Sequence, residues 1–262
     1  MDFNNSFFRC DQTTDCFDVS DEKNCKLIVI DTNTYLKDKP PKEGVVKVRV
    51  ELLKILEIGE LAMLFSSQYV VKLEWFDQRI TYYNLHGDQG LNSLVEEEKQ
   101  MIWTPSFIFD NTESKTRSTT DKESIISVRR EGDFSRIGIE SIDNIYMFEG
   151  DENPLYMMRV YQTSWICDYQ MNWYPFDTQT CKMTYALTNE LNNFIRVVPN
   201  GHAYLGPVEL TQYFVRNTEM GSDTVGEDKI QAIVFKVTLG RRLLGTLLTI
   251  FLPTILLNVI GE

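Results

Sequence analysis

From residue 45 onward, apolar and polar positions alternate. Val46-Lys47-Val48-Arg49-Val50-Glu51 sends every second side chain to one face, the two-residue period of a half-buried strand. Similar runs, with β-branched or aromatic residues and interleaved polar ones, recur at 63–79, 124–129, 155–169, 180–187, 210–216 and 230–239. Turn clusters separate them: residues 86–90, 131–133, 149–154, 199–201 and 221–223 each carry the Gly, Asn, Asp or Pro that chain reversal needs. One stretch, residues 91–101, has helical spacing instead, with Leu91, Leu94, Val95 and Met101 on a face above Glu96-Glu97-Glu98. Many short strands in about 200 residues, without a repeat of about 20–50 residues, predict a mainly β fold, a β-sandwich.

At residues 243–260 (LLGTLLTIFLPTILLNVI) the alternation stops, and 18 residues pass without a charge between Arg241-Arg242 and Gly261-Glu262. As a helix they reach about 27 Å, close to a hydrocarbon core, and predict one transmembrane α-helix. Pro253 and Asn258 are tolerated there when neighbouring helices supply partners. The opening MDFNNSFF lacks the basic start, apolar run and cleavage site of a signal peptide, and the whole is read as a fragment of something longer.

Composition narrows the classes. The 262 residues hold 26 basic and 38 acidic side chains, a net charge of −12, which leaves no positive field for nucleic acid. With 15 Phe, 12 Tyr and 4 Trp there is apolar area for a packed core, so disorder is excluded. An enzyme is disfavoured: no Ser/His/Asp set, metal triad or phosphate loop is present, and two histidines leave little for acid–base work.

The five cysteines form two clusters, and their odd number implies a missing partner. Cys10, Cys16 and Cys25 have acids gathered between them, hard oxygen ligands of the kind calcium takes. The pattern resembles the second half of a low-density-lipoprotein-receptor class A module, C-D-x-x-x-D-C-x-D-x-S-D-E-x-x-C. That resemblance implies one calcium ion held by Asp11, Asp15, Asp21 and Glu22 with the backbone carbonyls of Phe8 and Thr13, and a Cys10–Cys25 bridge. The first half of the module is absent, which leaves Cys16 without its partner.

Cys167 and Cys181 enclose thirteen residues, with Trp173-Tyr174-Pro175-Phe176-Asp177 at their centre. This element resembles the signature loop of the Cys-loop receptors, the pentameric ligand-gated ion channels. Trp75-Phe-Asp77-Gln-Arg79 matches that family's W-x-D-x-R, Trp103-Thr-Pro105 its W-x-P, and Arg241-Arg242 its junction with the first membrane helix, in matching order across about residues 43–260.

The resemblance implies a ring of five subunits, agonist bound between neighbours, and a plasma-membrane location with residues 1–240 extracellular. Its partners would be other channel subunits, a small-molecule agonist and the membrane. It divides the chain into a partial calcium module (1–25), a linker (26–42), a ligand-binding sandwich (43–240) and the first membrane helix (241–262). Arg242, or its neighbour Arg241, would pair with Glu60 and Asp177 to couple binding to gating, while Trp75, Asp77, Arg79 and Trp103 are structural. The aromatic box that holds cationic amines is depleted, because Val70 and Thr188 occupy two of its positions and residues 219–229 add no aromatic. Tyr185 and Tyr213 remain as candidate ligand contacts. The alternative reading is a soluble or membrane-tethered binding protein of the same fold, against which residues 243–260 argue.

Overall fold

A computed structural model describes residues 17, 26–42, 44–112, 118, 120, 122–133, 135–136 and 146–260. Within them, thirteen strands are β1 (Ile28–Val29), β2 (Gly44–Gly59), β3 (Leu64–Trp75), β4 (Thr81–Tyr83), β5 (Phe107–Phe109), β6 (Ile125–Val128), β7 (Ser135–Arg136), β8 (Tyr146–Glu149), β9 (Leu155–Ile166), β10 (Thr178–Leu187), β11 (Ile195–Tyr204), β12 (Tyr213–Val225) and β13 (Ile230–Arg241). They form a five-stranded sheet ordered β11-β2-β3-β9-β6, a four-stranded sheet ordered β12-β13-β10-β5, and a smaller sheet ordered β1-β4-β8-β7.

The alternation in β2 does what its period requires: Val46, Val48, Val50 and Leu52 are buried, while the residues between them keep solvent contact. Their face meets the four-stranded sheet across an aromatic layer. Tyr69 of β3 and Trp165 of β9 lie 5.8 and 5.5 Å from Tyr185 of β10, and Phe109 of β5 lies 5.6 Å from Trp165. Edge-on rings fill this layer favourably because a positive rim meets a negative face.

Three expectations are corrected. Residues 199–201, read as a turn, lie inside β11, which pairs in parallel with β2 and shifts register between Pro199 and His202. Proline lacks an N–H and Gly201 has φ +94°, which an edge strand accommodates as a bulge. Residues 221–223 likewise continue β12, because β13 pairs with them as far as Val225↔Ile230, and the reversal falls at 226–229. The helix expected over 91–101 forms only at Glu96–Met101 (α1), since Ser93 bridges to Ser127 and the Leu94 amide donates to the Ile126 carbonyl at 2.8 Å.

Residues 26–42, expected as a linker, make specific contacts with the sheets. β1 pairs with β4, and the Glu98 carboxylate of α1 accepts from the backbone amides of Leu27 at 2.7 Å and Ile28 at 3.2 Å. Further on, the buried Tyr35 hydroxyl donates to Asp77 at 3.1 Å and accepts from the Trp103 amide at 2.8 Å. Arg79 grips Asp77 through two nitrogens, at 2.8 and 2.7 Å, stacks 4.5 Å from the Tyr35 ring and donates to the Lys39 carbonyl. The W-x-D-x-R residues are therefore structural.

Beyond β13, residues 243–260 are helical in three successive pieces, α-helical at Leu243–Thr246, π-helical at Leu247–Phe251 and α-helical at Leu252–Ile260. Among the described residues no helix is long and apolar enough to cross a membrane. The interruption has a cause in Pro253, which cannot donate to the turn before it and whose ring crowds that turn's carbonyls.

Candidate functional site

Cys167 follows β9 in one sheet and Cys181 sits on β10 in the other, so their disulfide (S–S 1.97 Å, Cα–Cα 5.1 Å) staples the two sheets together. The loop between them is tied at its neck by Gln179, whose buried amide accepts from the Gln170 N–H at 2.8 Å and donates to the Gln170 carbonyl at 2.9 Å. Tyr169 adds a hydrogen bond to the Leu64 carbonyl at 2.9 Å. Held this way, the loop turns through a cis Tyr174–Pro175 bond and leaves Trp173 and Phe176 largely exposed.

Asp177 points inward from this loop. Arg241, the last residue of β13, donates to it from Nε at 2.6 Å and from Nη2 at 2.8 Å, a two-pronged pair of side chains only 4% and 2% exposed. Arg241 Nη1 reaches Glu60 at 2.8 Å, on the turn joining β2 and β3. The Tyr213 hydroxyl accepts from Arg241 Nη2 at 2.6 Å and donates to Glu60 Oε1, while Gln179 donates to Asp177 at 2.5 Å. The rings of Tyr174 and Tyr213 each lie 4.7 Å from the guanidinium. Burial alone raises the Asp177 carboxyl, but hydrogen bonds from Arg241 and Gln179 outweigh it and hold the group below the usual carboxylate range. Burial, reinforced by Glu60, pushes the Tyr213 hydroxyl far up, so it stays protonated as a donor.

The structure thus selects Arg241 of the two candidate arginines. Arg242 is turned away: it donates to the Leu210 carbonyl at 3.0 Å and lies 3.6 Å from Glu209. The alternation Phe235, Val237, Leu239, Arg241, all on the buried side of β13, is the sequence signal for this choice. Sequence reasoning missed Gln179 and Tyr174, and placed Tyr213 with the agonist contacts. Tyr213 belongs to the cluster because β12 sets it directly across from Arg241.

The remaining agonist candidates are not brought together. Tyr185 is sealed in the aromatic layer, Val70 is buried on the opposite face of β3 from Tyr69, and Thr188 is buried before the helical turn Asn189–Asn192. Cys10, Cys25, Asp11, Asp15, Asp21, Glu22, Phe8 and Thr13, with the calcium site they were expected to form, lie outside the described residues. Among the described residues no group of three or more His, Cys, Asp or Glu side chains is arranged to hold a metal.

The site thus comprises two sheets stapled by a disulfide, with a buried arginine–carboxylate knot where the last strand passes into an apolar helical run. A family profile described as the neurotransmitter-gated ion-channel ligand binding domain matches residues 26–242, and the chain belongs to that family. It is 25% identical over 191 residues to a glutamate-gated chloride channel of Drosophila melanogaster, covering 68% of this chain and 37% of that protein. It is 21% identical over 278 residues to an acetylcholine receptor subunit delta of Xenopus laevis, covering 94% of this chain and 48% of that protein. The chain spans less than half the length of either relative.

Proposed function

We propose that this chain is the extracellular part and the start of the membrane domain of a subunit of a pentameric ligand-gated ion channel at the plasma membrane. A small-molecule agonist binds between neighbouring subunits, and the Arg241 knot carries its effect to the pore. The carrying observation is that knot. One guanidinium, almost fully withdrawn from water, ties together the β2–β3 turn, the disulfide loop and the strand that leads into residues 243–260. Those three segments cannot shift independently while it holds, and losing one partner leaves a buried charge uncompensated. The apolar side chains of residues 243–260 support the membrane assignment, since Leu244, Leu257, Val259 and Ile260 are uncovered in this chain and need lipid or protein around them.

The test is to express the complete reading frame in cells and screen neurotransmitters for current. A transmitter-evoked current that Arg241→Ala abolishes when current is normalised to surface protein is the expected result. Currents that survive Arg241→Ala would overturn the coupling role, and silence to every transmitter at normal surface density would overturn the channel reading.

A further inference from the structure

We infer that Tyr213 is a positioning residue of the Arg241 knot, its hydroxyl bridging Arg241 and Glu60 so that both strands of the β12–β13 hairpin, not β13 alone, act on the β2–β3 turn. This deepens the gating reading above and rests on it.

The hairpin is a long lever. It is paired from Tyr213↔Arg241 at its base to Val225↔Ile230 near its tip, about 40 Å of strand at some 3.3 Å per residue. Both base residues enter the knot. Arg241 supplies charge, and Tyr213 supplies one hydroxyl that accepts from Arg241 Nη2 at 2.6 Å and donates to Glu60 Oε1, the same oxygen that Arg241 Nη1 reaches at 2.8 Å. The two carboxylates differ in freedom. Asp177 is enclosed and fixed by three bonds from Arg241 and Gln179, whereas the Glu60 side chain is 23% exposed and stands on a turn whose next residue, Leu61, is fully exposed. The turn is therefore the part free to follow the hairpin, and Tyr213 is its link to β12. The plainer role for Tyr213 is a ring that fills space against the guanidinium. Phenylalanine would fill that space equally well, and only the hydroxyl explains a donor–acceptor bridge between two charged groups.

Tyr213→Phe keeps the ring and so keeps the fold. On the purified chain, hydrogen exchange should show protection of the segment 60–63 falling about tenfold, the loss expected for one charge-assisted hydrogen bond. Glu60→Gln should do the same, and the double variant should lose no more than either alone. Tyr69→Phe, which removes a core hydroxyl bonded to Thr163 at 3.1 Å, should leave 60–63 unchanged. Unaltered exchange in Tyr213→Phe, or effects that multiply in the double variant, would overturn the bridge. In the full-length channel, Tyr213→Phe should raise the half-maximal transmitter concentration at unchanged surface protein, and an unmoved concentration would equally overturn it. A channel silent to every transmitter counts against the channel reading alone, because the exchange measurement needs no current.

Discussion

Arg241 and Asp177, 64 residues apart in sequence, meet through two parallel hydrogen bonds of 2.6 and 2.8 Å with both side chains almost wholly out of water. In that setting the pair is worth most when its geometry is complete and becomes a liability when it is broken.

Arg241→Ala should accordingly destabilise the domain by about 3–5 kcal/mol, the usual range for stranding a buried partner. The effect carries a pH signature. Because the folded Asp177 pKa lies below its unfolded value, the pair's stabilisation is complete above about pH 4 and drains away as pH falls through the folded value. Urea unfolding should show a gap between the wild type and Arg241→Ala that is steady from pH 7 to about pH 4 and narrows as the solution is acidified further. A gap that is constant with pH would place the arginine's contribution outside this pair.

The disulfide closes a fifteen-residue loop between two sheets, and the loop-closure model assigns such a link about 3 kcal/mol. Replacing Cys167 and Cys181 together by Ala should lower the unfolding free energy by about that amount. Trp173 fluorescence should report the loosened loop before global unfolding.

Much of this fold was legible because burial imposes a period: the valines of β2 and the apolar series ending at Arg241 needed only parity. What resisted was register. Nothing local to Tyr213 says that Arg241 stands opposite it, since that pairing depends on where a hairpin 29 residues long reverses, and the Gly221 and Pro199 signals pointed to reversals that edge strands absorb. The same limit applied to Tyr35, whose partners Asp77 and Trp103 lie 42 and 68 residues away. Of the knot's members, Asp177, Glu60 and the arginine pair were named through the family resemblance, while Gln179, Tyr174, the place of Tyr213 and the choice of Arg241 came from tertiary pairing.

Tyr35 gives a test of whether residues 26–42 are integral to the sandwich. Its hydroxyl is a donor to the fully buried Asp77, so Tyr35→Phe removes a hydrogen bond to a charged group and should cost about 1.5–3 kcal/mol. Arg79 still holds Asp77 in that variant, which keeps the fold intact for measurement. Thermal unfolding of the variant at the wild-type midpoint would show these residues to be as peripheral as a linker.

The helical run at 243–260 supplies the last prediction. Leu244, Leu248, Leu257, Val259 and Ile260 stand largely uncovered, and α4 (Leu252–Ile260) buries none of its residues. In water such a surface recruits other apolar surface, and in a bilayer it is already solvated. The knot, by contrast, is complete at Arg241, one residue before the junction. A version ending at Arg242 should therefore remain folded and stay in the aqueous phase, with the Cys167–Cys181 link and acid sensitivity of the longer chain. The 262-residue chain should instead float with liposomes or require detergent. If both versions stay dissolved and monomeric without lipid, residues 243–260 are covered by the protein itself and the membrane assignment fails, whereas co-flotation of only the longer chain locates the membrane contact in those 18 residues.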